Sequence, residues 1–215
     1  MSLTISLRGV THSYEDHLVL KHLDLELKGG EALAVIGPSG SGKTTLLSIL
    51  GLLLPPTSGQ IEVDGEVVER RPDLRLHLYS WVFQTVNTLG RRTALENVAL
   101  AALSRGVSRK EASQNASEAL DRVGLLDYSH RPAYTLSGGE LQRLCVARAI
   151  VVRPAFVLAD EPTGQLDART SSKVADALLA KRPGGVGTVI ATHDIEIANS
   201  CDRVLSLRDG VLEPV

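Results

Sequence analysis

The feature that most constrains the fold is a glycine-rich loop, residues 37–44, which reads GPSGSGKT. The five residues before it read ALAVI, a continuous apolar run typical of a strand that is buried on both faces. The residues after it predict a helix from Lys43 to about residue 53, which Pro55 and Pro56 stop. A strand, a glycine-rich loop and a helix in this order favour a mostly parallel α/β sheet with an anion site at the helix N-terminus.

The loop fits the pattern G-x-x-x-x-G-K-[ST], whose glycines let successive backbone N–H groups point at phosphate oxygens. We expect Lys43 to reach the β- and γ-phosphates and the Thr44 hydroxyl to hold Mg²⁺. A glycine-rich turn that matches by accident is the alternative, and the flanking strand and helix argue against it. The predicted cofactors are ATP and Mg²⁺, with contacts from Gly37, Pro38, Ser39, Gly40, Ser41, Gly42, Lys43, Thr44 and Thr45.

A second apolar run, residues 156–159, ends in the carboxylates Asp160 and Glu161. Ligands of open α/β sheets bind at the carboxyl ends of the strands, so these carboxylates are placed at the same edge as the loop. Asp160 is expected to hold Mg²⁺, directly or through water. Glu161 is expected to position or deprotonate the attacking water. The alternative is an acidic pair that merely begins a helix.

Composition limits the class of protein. The 215 residues carry a net charge of −2, so there is none of the basic excess that is typical of nucleic-acid binders. The longest apolar stretch, residues 46–54, is shorter than the roughly 20 residues of a membrane-spanning helix, and the first ten residues do not resemble a signal peptide. Cys145 and Cys201 lie outside any CxxC pair, which favours buried, reduced thiols over a zinc site.

The remaining pattern alternates strands and helices. Residues 5–7 and 23–27 alternate apolar and polar, and residues 61–68 predict a hairpin that turns at Asp64 and Gly65. Residues 93–126 are helical in pattern, with Ser108 and Glu111 as a capping box, and they resemble an insertion into the sheet. Further helices are predicted at residues 137–152 and 171–180, and further strands at residues 155–159, 188–191 and 203–207.

Residues 136–140 read LSGGE and begin the helix at 137–152. Free N–H groups and a hydroxyl at a helix start make an anion site, here at Ser137, Gly138 and Gly139. Physical reasoning alone favours a simply capped helix, and it does not explain why one ATPase needs two phosphate-binding helix ends.

Taken together, the segments GPSGSGKTT, LSGGE, LADEP and ATHD resemble the ABC-type ATPase family over nearly the whole chain. The resemblance implies a P-loop NTPase core with an antiparallel β subdomain and an inserted helical subdomain that carries LSGGE. It implies one domain, with the core at residues 1–84 and 150–215 and the helical subdomain at 85–149. It also implies an ATP-induced homodimer, head to tail, in which Ser137, Gly138 and Gly139 contact the γ-phosphate of the other subunit's ATP.

Four further residues take roles from the resemblance. Tyr14 would stack on adenine, and Gln84 would sense Mg²⁺ and the attacking water. His193 would contact the γ-phosphate, and Asp167 would contact the opposite active site. For Tyr14, Gln84 and His193 the alternatives are an ordinary half-buried tyrosine, a polar strand end and a structural histidine.

Residues 160–167 and 93–98 resemble the subgroup that serves macrolide export, lipoprotein release and cell division, although Gln165 stands where that subgroup usually has asparagine. The resemblance implies an ATPase subunit on the cytoplasmic face of the membrane that drives a separate transmembrane permease, docked near residues 84–100. The alternatives are a soluble ABC ATPase acting on DNA or ribosomes, a P-loop kinase and a regulator without ATPase activity. The soluble relatives that act on DNA or ribosomes carry a long coiled coil or two tandem cassettes. Only 53 positions separate Gln84 from Ser137, which leaves room for the compact helical subdomain alone.

Overall fold

The computed structural model describes residues 3–68, 78–164, 166–180 and 185–215. The chain divides into two compact units. The first comprises Met1–Tyr79, Ala155–Glu161 and Lys181–Val215, and the second comprises Ser80–Pro154 and Pro162–Ala180. The subdivision at residues 85 and 149 stays a prediction.

The first unit contains a four-stranded antiparallel sheet in the order β2-β1-β4-β5. Its strands are β1 (Thr4–Tyr14), β2 (His17–Lys28), β4 (Ser58–Val63) and β5 (Glu66–Val67). The predicted hairpin at residues 61–68 is confirmed. Its turn residues Asp64 and Gly65 both have positive φ, the conformation that two-residue hairpin turns require.

A second, mostly parallel sheet lies in the same unit. Its strands are β3 (Ala32–Ile36), β7 (Phe156–Asp160), β8 (Gly187–Ala191), β9 (Arg203–Arg208) and β10 (Val211–Pro214). They follow the order β10-β9-β3-β8-β7. A further strand, β6 (Tyr79–Val82), begins with Tyr79, the last residue of this segment of the unit. Strands β9, β3, β8 and β7 pair in parallel, whereas β10 is antiparallel to β9. Every residue of β7 and β8 is buried, as the apolar runs predicted.

Helix α1 (Lys43–Leu50) follows β3 through the glycine-rich loop and packs beside β7 and β8. It ends earlier than the predicted residue 53, because Gly51 caps it and Leu52 turns into the left-handed region at φ 57°. A short helix, α6 (Ile195–Asn199), lies between β8 and β9, and the Asp194 side chain caps its first turn.

The second unit is helical. Its helices are α2 (Ala94–Leu103), α3 (Arg109–Arg122), α4 (Gly138–Val151) and α5 (Ala168–Leu179), with single 3-10 turns at Leu126–Tyr128 and Ala133–Thr135. Helices α2, α3 and α4 pack against one another, and α5 packs on α4. On α3 the buried residues are Ala112, Ala116, Ala119 and Leu120, a helical spacing whose small side chains allow close approach. Within the described ranges, every helix is too short or too polar to span a membrane.

Helix starts in this unit differ from the prediction in one respect. Ser108 does cap α3, since its side chain accepts a hydrogen bond from the Glu111 N–H. The complete, reciprocal capping box is found instead at two other starts, Thr93 with Glu96 on α2 and Ser137 with Glu140 on α4.

Candidate functional site

The parallel register brings three chain segments to one edge of the second sheet. Val35 pairs with Ala191, and Ala191 pairs with Asp160 on the next strand. The carboxyl ends of β3, β8 and β7 therefore meet there, so the loop after β3, His193 after β8 and the carboxylates at the end of β7 share one edge. This is the edge at which open α/β sheets bind ligands.

The loop has the conformation of an anion cradle. Gly40 and Gly42 lie at φ 80° and 101°, and Gly42 precedes α1 as its N-cap. The Lys43 side chain is buried, and its Nζ donates to the carbonyl oxygens of Gly37 at 2.8 Å and Pro38 at 3.0 Å. The Ser41 hydroxyl oxygen is buried, and no described residue supplies it with a hydrogen-bond partner. A phosphate group would provide acceptors for both side chains, so the cradle fits the phosphate tail of a nucleotide.

Thr44 and Asp160 form a pair of oxygen donors beside the loop. The Thr44 hydroxyl donates to Asp160 Oδ2 at 2.6 Å. Burial raises the pKa of Asp160 above its ordinary value, and the adjacent Glu161 acts in the same direction against the opposing effects of Thr44 and Lys43. A cation would offset this penalty on the charged carboxylate. Mg²⁺ prefers oxygen ligands and is usually held by one or two protein groups together with substrate phosphates, so this pair fits Mg²⁺.

Glu161 and His193 form a second pair at the same edge. Glu161 Oε2 and His193 Nδ1 lie 2.8 Å apart, and because a carboxylate only accepts, Nδ1–H is the donor and Nε2 is left available. The Glu161 side chain is 13% exposed and that of His193 is 72% exposed, so the histidine reaches outward from the carboxylate. Glu161 is held in the left-handed region at φ 48°, and its N–H donates to the Ala191 carbonyl. Backbone strain of this kind is concentrated at functional sites.

Tyr14 ends β1 and is 51% exposed, so one part of its ring is open for contact with a ligand. Its hydroxyl oxygen lies 3.4 Å from the hydroxyl oxygen of Thr45 on α1. The structure therefore places Tyr14 beside the first turn of the helix that follows the phosphate loop.

The second unit holds the LSGGE segment and Asp167. Ser137 is exposed and caps α4, and Gly138 and Gly139 form the first turn. The Ser137 oxygen accepts from the Glu140 N–H, and its own O–H can still donate to another acceptor. A Cβ on Gly139 would lie 3.0 Å from the Leu166 side chain, so the segment before α5 packs closely on this turn. Asp167 caps α5, and hydrogen bonds from the Thr170 hydroxyl and N–H lower the pKa of Asp167.

Gln84 follows β6 in the second unit and is exposed. The segment after it is anchored by Asn97, which the sequence reasoning missed. The Asn97 side chain is 2% exposed, accepts from the Leu89 N–H, and donates to the carbonyls of Leu89, Arg92 and Thr93. Arg148 on α4 also donates to the carbonyl of Asn87. Gln165 lies outside the described residues.

A family profile described as ABC transporter matches residues 20–164. The chain is 42% identical to the lipoprotein-releasing system ATP-binding protein LolD of Bacteroides thetaiotaomicron, over 97% of this chain and 99% of that protein.

Two solved structures have the same fold as this chain. The dimeric structure of MJ0796, a bacterial ABC transporter cassette, superposes with a TM-score of 0.88 at 35% identity, over 97% of this chain and 96% of that one. The same cassette in a post-hydrolysis state bound to ADP and phosphate gives a TM-score of 0.88 at 34% identity over the same shares. The predicted P-loop NTPase fold and the resemblance stated from the motifs are thereby confirmed.

Proposed function

The chain belongs to the family of ABC transporter ATP-binding proteins and is an ATPase, and from that membership we propose that two copies close head to tail around two Mg-ATP and drive a separate membrane protein. One observation carries the proposal. In the described part of the chain, two glycine-containing helix starts are suited to phosphate, the start of α1 and the exposed Ser137 start of α4. One ATP uses the first, and the second is explained if it contacts the ATP of the other copy.

Within one copy, each residue at the sheet edge has a distinct task. Lys43 exchanges its bonds to the Gly37 and Pro38 carbonyls for the β- and γ-phosphate oxygens. Thr44 and Asp160 hold Mg²⁺, which when bound neutralises charge that develops on the phosphates. Tyr14 stacks on the adenine.

The Glu161 and His193 pair acts on the γ-phosphate and the water that attacks it. Glu161 orients that water and accepts its proton, while His193, which lies beside Glu161, contacts the γ-phosphate. Gln84 senses Mg²⁺ and the attacking water, and it begins the segment that links the nucleotide to the partner protein. Asp167 and the turn of Ser137, Gly138 and Gly139 contact the nucleotide site of the other copy.

The partner is a transmembrane permease subunit, with the chain peripheral on the cytoplasmic face of the membrane. Exposed apolar side chains support a docking surface near residues 84–100: Phe83, just before this segment, is 45% exposed, and Leu89 within it is 50% exposed. The Phe83 ring stacks on that of Trp81 with centroids 5.2 Å apart, and aromatic side chains are enriched among the residues that anchor interfaces. The LolD relative favours a partner of the export or mechanotransmission type.

The test uses Glu161→Gln with Glu196→Gln as its matched control. Glu196 is an exposed glutamate on α6, so its replacement removes the same charge outside the site. We expect Glu161→Gln to lose steady-state ATP turnover and to elute as an ATP-dependent dimer in size-exclusion chromatography, whereas Glu196→Gln turns over normally. Normal turnover by Glu161→Gln would contradict the role of this carboxylate.

The partner is identified by purifying tagged Glu161→Gln from membranes solubilised with ATP, followed by mass spectrometry. A separate membrane protein in the ATP sample, absent from a matched Lys43→Ala sample, is the expected result. Recovery of ribosomal or DNA-associated proteins with no membrane protein would overturn the transporter role and leave the ATPase in place.

A further inference from the structure

His12 is a polar side chain that the proposed mechanism does not use. It is 6% exposed on β1, and neither ring nitrogen has a hydrogen-bond partner among the described residues. Burying unpaired polar atoms costs stability, and an apolar side chain of similar size would avoid that cost. We therefore look for the contribution of His12 in contacts of the imidazole ring with other side chains.

The ring's neighbour is Tyr14. The two ring centroids lie 4.8 Å apart with an interplanar angle of 80°, which is the edge-to-face arrangement that aromatic pairs prefer. Residues two apart on a strand share a face, and the pairing of β1 with β2 shifts its register on both sides of His12. Such irregularities redirect side chains, so the local backbone brings the two rings together.

Tyr14 is held at its other end by the phosphate-loop helix, through the 3.4 Å approach of its hydroxyl to Thr45. The strand that pairs with β1 also packs on the loop itself. A Cβ on Gly42 would lie 2.9 Å from Val19 and 3.0 Å from Leu20, and Leu20 is the cross-strand partner of His12. His12, Tyr14 and the phosphate loop therefore form one continuous set of contacts.

We propose that His12 is a positioning residue for the nucleotide base: its ring holds the Tyr14 ring in the orientation in which that ring stacks on adenine. The inference rests on the proposed stacking of Tyr14. A side chain already held in its binding orientation loses less freedom when the ligand arrives, so affinity for the base improves while affinity for the phosphates does not change.

The test distinguishes affinity for the base from affinity for the phosphates. Calorimetric titrations give the Kd for Mg-ATP and for magnesium tripolyphosphate, an inorganic chain of three phosphates without a base. His12→Leu keeps a buried side chain and removes the ring, whereas His12→Phe keeps a ring. We expect His12→Leu to raise the Kd for Mg-ATP about 2- to 10-fold, the range of an edge-to-face aromatic contact, and to leave the Kd for tripolyphosphate unchanged. His12→Phe should bind both ligands as the wild type does.

A double-mutant cycle with Tyr14→Ala completes the test. His12→Leu should have no further effect on Mg-ATP once Tyr14 is absent, because it acts through that ring. An equal loss for ATP and tripolyphosphate, no loss at all, or an effect that persists in Tyr14→Ala would overturn the proposal. Should His12→Leu fail to fold, as judged by thermal melting, His12→Phe decides alone: a raised Kd for ATP in that variant overturns it.

The role of Tyr14 and the role of His12 can be refuted separately. If Tyr14→Ala binds Mg-ATP as tightly as the wild type, the stacking role of Tyr14 is wrong and the inference falls with it. If Tyr14→Ala binds Mg-ATP weakly and His12→Leu does not, only the role of His12 is wrong.

Discussion

Replacing Ser137 with alanine tests whether the start of α4 is a phosphate site or only a capped helix. The structure supplies a matched control in the same unit. Thr93 caps α2 with the same reciprocal capping box, its side chain accepting from the Glu96 N–H at 3.1 Å, as Ser137 accepts from the Glu140 N–H at 3.3 Å. Both substitutions remove one side-chain cap, and only Ser137→Ala removes a hydroxyl that we assign to ATP.

The expected magnitudes follow from this comparison. Loss of a hydroxyl N-cap costs about 1 kcal/mol, which in a chain of this size lowers the melting temperature by about 2–4 °C. We expect this shift in both variants. A hydrogen bond to a charged group adds about 1.5–3 kcal/mol, so Ser137→Ala should further lose about 10- to 150-fold in ATP turnover, while Thr93→Ala keeps its turnover.

The measurements are thermal melting without nucleotide and steady-state phosphate release at saturating Mg-ATP. In the Glu161→Gln background, Ser137→Ala should also shift the ATP-dependent dimer toward monomer in size-exclusion chromatography. If both variants lose equal turnover, or if Ser137→Ala keeps full turnover, the serine serves only as a cap and the reasoning is refuted.

Four further outcomes follow from the geometry. Lys43→Ala should lose Mg-ATP binding in an equilibrium titration, and unchanged affinity would contradict the phosphate-loop assignment. Folding raises the pKa of Asp160, so the stability contribution of this carboxyl is present at low pH and is lost as the pH rises through its folded-state pKa. Asp160→Asn should therefore melt higher than the wild type without nucleotide at pH 8, with the difference vanishing below the ordinary pKa of 3.8, and it should lose Mg²⁺-dependent stabilisation by ATP; a lower melting temperature at pH 8 would contradict this. Asn97→Ala should lose about 2–3 kcal/mol of unfolding free energy in urea because it removes the hydrogen bonds of a buried amide, with an unchanged Kd for ATP as the check. Burial raises the pKa of Cys201 to about 11, so iodoacetamide at pH 8 should label the native thiol far more slowly than the unfolded one, and equal rates would refute this.

Much of the fold could be predicted from the sequence because the buried strands are short, continuous apolar runs. Strands β3, β7 and β8 bury nearly all their side chains, and their ALAVI-like composition indicates this directly. The ends of elements were less accessible. Helix α1 stops at Leu50 because of backbone conformations at Gly51 and Leu52, whereas the apolar pattern continues. Helix α6 has only five residues, and a helical pattern of apolar residues can be recognised only over a longer segment.

The sequence predicted those parts of the candidate site whose residues lie close together along the chain. The phosphate loop is one continuous segment, so its glycines, Lys43 and Thr44 can be read in order. The pairing of Glu161 with His193 depends on the parallel register of β7 and β8, which the sequence does not state. The anchoring of Leu89 by Asn97 and the contact of His12 with Tyr14 were missed for the same reason: each requires knowing which residues meet in space.

The distribution of the site explains how hydrolysis could be converted into motion. In the proposed mechanism, the residues at the sheet edge contact the nucleotide from within one copy and give it affinity. They give it no preference for a closed dimer over separate copies. A ligand shifts an equilibrium only through contacts that differ between the two states. We propose that the exposed start of α4 at Ser137 provides such a contact, because the Ser137 hydroxyl and the N–H groups of the first turn gain a phosphate partner only when two copies meet. On this proposal, removal of the γ-phosphate removes that partner and favours reopening, and the second helix start makes ATP a dimerising ligand as well as a substrate.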